Sequence, residues 1–141
     1  MFVIEPYVSA GPLKFGMSYD DVKSSLGEPK SLEKNRLGDT VARYDGFGAT
    51  IAAAGVVEVY FLPTAAVSLS GIDLYKDSQA FQKLCARDGA PKEFLGFIVL
   101  LNLGITLTGF HDGDQSQKAV TAFARGRWDR LSGEMKSYPA Q

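Results

Sequence analysis

The sequence predicts an α+β fold made of two tandem repeats, residues 11–63 and 71–125, each a helix followed by an antiparallel β-meander, with the helices packed on one sheet. Three observations carry this expectation. A helix signature at residues 11–29, GPLKFGMSYDDVKSSLGEP, returns in degraded form from Gly71 onward. Apolar runs punctuated by glycine follow each copy. The chain, at 141 residues, has the size of a single domain, residues 1–141, able to bury a real core.

In chain order, residues 1–10 are apolar and extended, with Pro6 limiting any helix, and are expected as an edge strand or an arm lying on the core. The first helix begins at a capping-box-like pair, Ser18 with Asp21 three residues on. Asp20 and Asp21 suit its positive end, and Val22 and Leu26 share a face. Gly27 and Pro29 stop it. Residues 31–39 are charged and without a clear period, so they are expected as a connector or a short second helix. VARYD, GATIAAA and VVEVYFL then read as strands of a meander, separated by Gly46, Gly48 and Gly55. In the last of them Val57, Val59 and Phe61 alternate with Val56, Glu58 and Tyr60. Residues 63–70 are small and polar, a bridge between halves.

The second half repeats the order of the first. Leu13, Phe15, Ser18, Val22 and Leu26 map at one constant offset onto Ile72, Leu74, Asp77, Phe81 and Cys85. The stop recurs as Gly89 and Pro91, and the run Phe47 to Ile51 matches Leu103 to Leu107. The second meander is expected at residues 94–101, 104–110 and 118–125, with HDGDQSQ as the last hairpin loop. GRWDRLSGEMK suggests a short helix and SYPAQ a frayed tail.

Composition narrows the function classes. Lys and Arg number 15 against 16 Asp and Glu, which argues against a nucleic-acid surface or an acidic-membrane surface. Cys85 is the only cysteine, so the chain forms no internal disulfide and no thiolate metal cluster. The amino end MFVIEPYVSAGP lacks the positive charge that opens a secretory signal, and the expectation is a cytoplasmic protein. The longest uncharged run, residues 94–110, is broken by Gly96, Asn102, Gly104 and Gly109 and reads as two buried strands rather than a membrane span.

No catalytic motif is present, and each candidate site has an ordinary structural explanation beside the functional one. His111 with Asp112 or Asp114 offers a metal site or an oriented base, but Asp-Gly is also a standard hairpin turn, and the turn is preferred. Cys85 lies on an apolar helix face beside Phe81 and Leu84, where a buried thiol is expected rather than a nucleophile. Ser18 and Ser78 read as caps or first-turn residues. The glycines of YDGFGAT lack both the Walker lysine and the spacing of a dinucleotide loop. Arg125, Arg127 and Trp128 combine residue types enriched at binding hot spots, weighed against solvated arginines and a tryptophan covering a core edge. Glu58 and Tyr60 share one face of their strand, available to a partner that uses that face.

The elements Phe15-Gly16-Met17-Ser18, Asp21-Val22, Leu26-Gly27-Glu28-Pro29 and the meander of residues 44–62 resemble the SmpA/BamE family, and their tandem form resembles the beta-lactamase-inhibitor-protein fold. That resemblance implies a scaffold whose sheet face and loops contact a partner protein, as in toxin-neutralising immunity proteins. The chain departs from the lipoprotein pattern in having no lipobox cysteine, and from the secreted inhibitors in having no cysteine pair. The expected function is therefore a non-catalytic, protein-binding immunity or inhibitor protein without cofactor or metal, contacting its partner through Glu58, Tyr60, His111, Asp112, Arg125, Arg127 and Trp128. The alternatives are a small-molecule-binding or sensory domain, with a ligand between helices and sheet, and a small enzyme using His111.

Overall fold

The computed structural model describes residues 2–139. In chain order, β1 (Phe2–Glu5), β2 (Ser9–Ala10) and β3 (Leu13–Lys14) precede α1 (Tyr19–Leu26), and β4 (Ser31–Lys34), β5 (Thr40–Arg43), β6 (Phe47–Ala52) and β7 (Gly55–Phe61) follow it. Then come β8 (Val67–Leu69), β9 (Ile72–Asp73), α2 (Ala80–Asp88), β10 (Lys92–Phe94), β11 (Phe97–Leu100), β12 (Ile105–Thr108), β13 (Ala119–Phe123) and β14 (Lys136–Ser137). The fold is mixed α and β, dominated by antiparallel strands, but it has two sheets where one was expected. A 5-stranded sheet runs β3-β2-β1-β8-β9, and a 9-stranded sheet runs β14-β10-β11-β12-β13-β7-β6-β5-β4.

The helix ends follow local chemistry. Ser18 Oγ accepts the Asp21 N–H at 3.1 Å, and the chain leaves α1 at Gly27, where φ is 82°. Val22 is fully buried and Leu26 packs against the core, as their spacing requires. In α2 the expected correspondence slips. Its N-cap is Gln79, which makes no side-chain cap, while Asp77 accepts the Gln79 N–H at 2.8 Å and pairs with Lys83 at 2.6 Å. Leu84 and Cys85 are buried and Phe81 only half so; Leu84, five residues before Gly89 as Val22 is before Gly27, takes the position of Val22.

Alternation in the large sheet sorts the side chains by face. Ala42, Ala49, Val59, Ala122, Ile105 and Leu100 stand in register on one face, with Phe61, Val120, Leu107 and Ile98 in the next row. All of these are buried, and they form one cluster with Val22, Leu84 and Cys85 from the helices and Ile4, Val67 and Leu69 from the small sheet. This is the core face. A register shift between Thr50 and Ile51 puts Val56 on it as well, so the expected simple alternation of Val57 with Val56 fails there: Val56 is buried and Val57 half-buried.

Several local expectations are corrected. β1 is not an edge strand; it lies between β2 and a parallel β8. Part of the expected bridge at residues 63–70 is therefore strand, because Val67 and Leu69 bury their side chains beside Ile4. Residues 31–39 hold no helix but the outermost strand β4 and a turn closed by Asn35, whose Oδ1 accepts the N–H groups of Leu37 and Asp39. The run expected as one strand at 94–101 is bent back at Leu95 and Gly96 into the β10–β11 hairpin. The segment after Trp128 forms a 3-10 helix, Asp129–Glu134. The expected frayed tail instead contributes Ser137 to β14 and packs Tyr138 on the core; Ala140 and Gln141 lie outside the described residues, as does Met1.

Candidate functional site

The second face of the large sheet is polar at its centre. One in-register row runs Arg43, Gly48, Tyr60, Thr121, Thr106 and Val99 across six strands, β5 to β11. A neighbouring row runs Glu33, Val41, Thr50, Glu58 and Phe123. Thr121 and Tyr60 are half-buried and Thr50 is buried, whereas Arg43 and Glu33 are exposed, so the Arg43 and Glu33 end of this face is the part in contact with solvent.

Glycine at position 48 orders this row. The Tyr60 ring occupies the space that a Cβ on residue 48 would fill. Laid across β6 in this way, the ring brings its hydroxyl 3.2 Å from Arg43 Nη1, and the guanidinium sits 5.9 Å from the ring centroid. Arg43 Nε donates to Glu33 Oε2 at 2.8 Å. The hydrogen bond that Arg43 donates to Glu33, and then the one it donates to Tyr60, push the Arg43 pKa above its ordinary value, so the guanidinium is a fixed cation.

The C-terminal segment crosses the same face. After β13 the chain turns at Gly126, and Arg127 Nε donates to Glu58 Oε2 at 2.9 Å while Nη1 lies 3.8 Å from Asp39 Oδ2. The three side chains are 22%, 27% and 16% exposed, sheltered enough for the bridge to fix the segment. Trp128 then packs on Phe94, Phe97 and Phe123, at centroid distances of 6.1, 5.8 and 6.2 Å. Trp128 thereby covers Phe123 on this face, where Val99 and Thr106 are buried as well.

Of the residues expected at a site, Glu58, Tyr60, Arg127 and Trp128 thus meet on one surface. The remaining three lie elsewhere. Arg125 stacks its guanidinium over the Tyr7 ring at 4.3 Å, where the Tyr7 hydroxyl donates to the Leu101 carbonyl. His111 is on the α2 side of the sheet, stacked on Phe81 and edge-on to Tyr138, with Nε2 3.7 Å from Glu93 Oε2 and a buried Nδ1 that has no hydrogen-bond partner among the described residues. Asp112 is exposed and accepts the Asp114 N–H at 3.0 Å, the bond of a turn. Neither aspartate is a hydrogen-bond partner of the imidazole among the described residues.

Cys85 is buried, and that burial, with Asp88 nearby, pushes its thiol up to about 11, so it stays protonated at neutral pH. No group of three or more His, Cys, Asp or Glu placed to hold a metal is found among the described residues, and no helix among them is long and apolar enough to cross a membrane. Sequence reasoning missed Glu33, Asp39, Arg43 and Gly48. Their signal was the period-two placement of Glu33 and Arg43 on adjacent strands, legible only once β4 is recognised as a strand. Compared with protein-family models, with curated proteins and with solved structures, the chain matches none.

Proposed function

We propose that this chain is a non-catalytic protein-binding domain that docks a partner protein on the polar face of its 9-stranded sheet, as a cytoplasmic immunity or inhibitor protein. The observation that carries it is the Arg43, Gly48, Tyr60 row: an aromatic ring and a cation, both residue types that anchor interfaces, are held in place before any partner arrives. Pre-ordering removes part of the entropy cost of association. A solid cluster of Val22, Phe61, Leu84, Cys85 and Leu107 fills the space between helices and sheet, which favours a surface binder over a domain that holds a ligand there.

The SmpA/BamE-like resemblance and the tandem arrangement belong to the same proposal. The strand order supports it, because each half runs from a short hairpin through a helix into four antiparallel strands, and the halves join through their last strands, β7 and β13. Val59 and Ala122 face each other at that seam, and their next neighbours outward, Ala49 and Ile105, are the residues matched by the internal repeat. A duplicated module related by a local two-fold axis gives this register.

The test is to isolate the partner by tagged co-purification from the source cell, identify it, and measure the purified pair by calorimetry. Tyr60→Ala and Arg43→Ala each weaken binding about tenfold or more with little change in melting temperature, and co-expression of this chain relieves the toxicity or activity of the partner. Unchanged affinity in both variants would sink the proposal.

A further inference from the structure

We propose that the tip of the β10–β11 hairpin is the anchor of a homodimer, in which Leu95 of each copy enters the groove beside Ile72 and Ala86 of the other, about a two-fold axis. Leu95 is unexplained by the fold of one chain. It is 82% exposed, and its φ of 50° lies in the left-handed region, beside Gly96 at 88°. A two-residue turn with both φ positive favours Asn, Asp or Gly at that position. A leucine there carries backbone strain and leaves its whole side chain in water, two costs with no return within the monomer. Phe97, two residues on, is itself 37% exposed.

The surroundings of the tip select its occupant. Open grooves of about 310 and 250 Å³ flank it, and their ionisable lining is Glu93, Glu134 and Asp112 against the single cation Lys136. An apolar knob in an acidic collar fits an apolar hollow with a basic rim. This chain carries such a hollow on its own surface: an open groove of about 460 Å³ lined by Ile72, Lys83, Ala86 and Arg87. Lys83 is already paired with Asp77, whereas Arg87 has no ion pair among the described residues and is the cation left for an incoming carboxylate. Ala86 leaves room for a branched side chain between the two cations. Each copy carries both knob and hollow, so a reciprocal exchange about a two-fold axis closes at two chains, whereas a head-to-tail arrangement of the same contact would propagate.

Sedimentation velocity on the purified chain, from micromolar to millimolar concentration, reads the outcome. The wild-type chain is expected to show a monomer–dimer equilibrium that weakens with added salt. Leu95→Asn raises the dimer dissociation constant about tenfold or more while the melting temperature stays the same or rises, because asparagine suits the turn that leucine strains. Arg87→Glu, on the exposed side of α2, also dissociates the dimer, and adding Glu134→Lys to it restores association. A wild-type chain that stays monomeric over the whole range, or a dimer unaffected by Leu95→Asn, overturns the proposal.

Discussion

Asp88 and Asn102 hold each other twice. The Asn102 N–H donates to Asp88 Oδ1 at 2.9 Å, and the Asn102 side-chain amide donates back to the Asp88 carbonyl at 2.8 Å. The same carboxylate also accepts the N–H groups of Leu103 and Ala90, so a charge that is only 5% exposed has its lone pairs met by three backbone donors. The end of α2 is thereby fastened to the β11–β12 turn. Asp88→Ala strips partners from buried donors and is expected to cost about 3 kcal/mol, read as a lower urea midpoint at constant slope; Asp88→Asn keeps one acceptor and costs less.

Gly48→Ala puts a methyl group where the Tyr60 ring lies. The ring must swing away from Arg43, at a cost of about 1 kcal/mol, and the two-dimensional NMR signals of Tyr60 shift more than those of any residue on the core face. Loss of the Tyr60 to Arg43 contact accompanied by weaker partner binding would tie the order of the row to its use.

Arg127 and Glu58 are expected to couple by about 1 kcal/mol in a double-mutant cycle, because both are partly sheltered and charge-assisted. Trp128→Ala removes a ring packed on three others and is expected to cost about 3 kcal/mol and to shift the NMR signals of Phe94, Phe97 and Phe123.

The Cys85 thiol supplies a pH signature. Its ordinary value is 9.0 and burial raises it to about 11, so the folded state holds this proton more tightly than the unfolded one. Its contribution to stability is complete below pH 9 and is lost as the pH climbs toward 11. Tyr75, raised by burial in the same direction, adds a similar loss at still higher pH. Denaturant titrations of wild type and Cys85→Ala across that range are expected to converge as the pH rises, and equal slopes would refute the assignment.

What the sequence disclosed was local. The Ser18 cap, the Gly27 and Gly89 stops, and β5, β6 and β7 were legible because a few neighbouring residues determine each. β4 was not, since three of its four residues are exposed and charge hides the period of an outermost strand. The second sheet depends on β1 pairing in parallel with β8, residues far apart in the chain that no local pattern joins. The bend at Leu95 was concealed because a leucine fills a place where turn chemistry favours asparagine or glycine. The site divided along the same line. Glu58 and Tyr60 were placed together by alternation within one strand, whereas Arg43 and Glu33 joined them only through cross-strand register, and His111 proved to face the opposite side.

The seam between β7 and β13 also governs how the chain is made. β7, GVVEVYF, is the longest strand among the described residues and lies well inside the finished sheet, yet its neighbour β13 is Ala119–Phe123, far from it along the chain. During synthesis β7 therefore waits, with β6 on one side and open backbone on the other, until residues 119–123 have left the ribosome. A free apolar edge of that length is a template for other chains. Nascent or truncated forms ending before Ala119 are expected to aggregate, and survival of the protein in the cell then depends on how quickly β13 arrives.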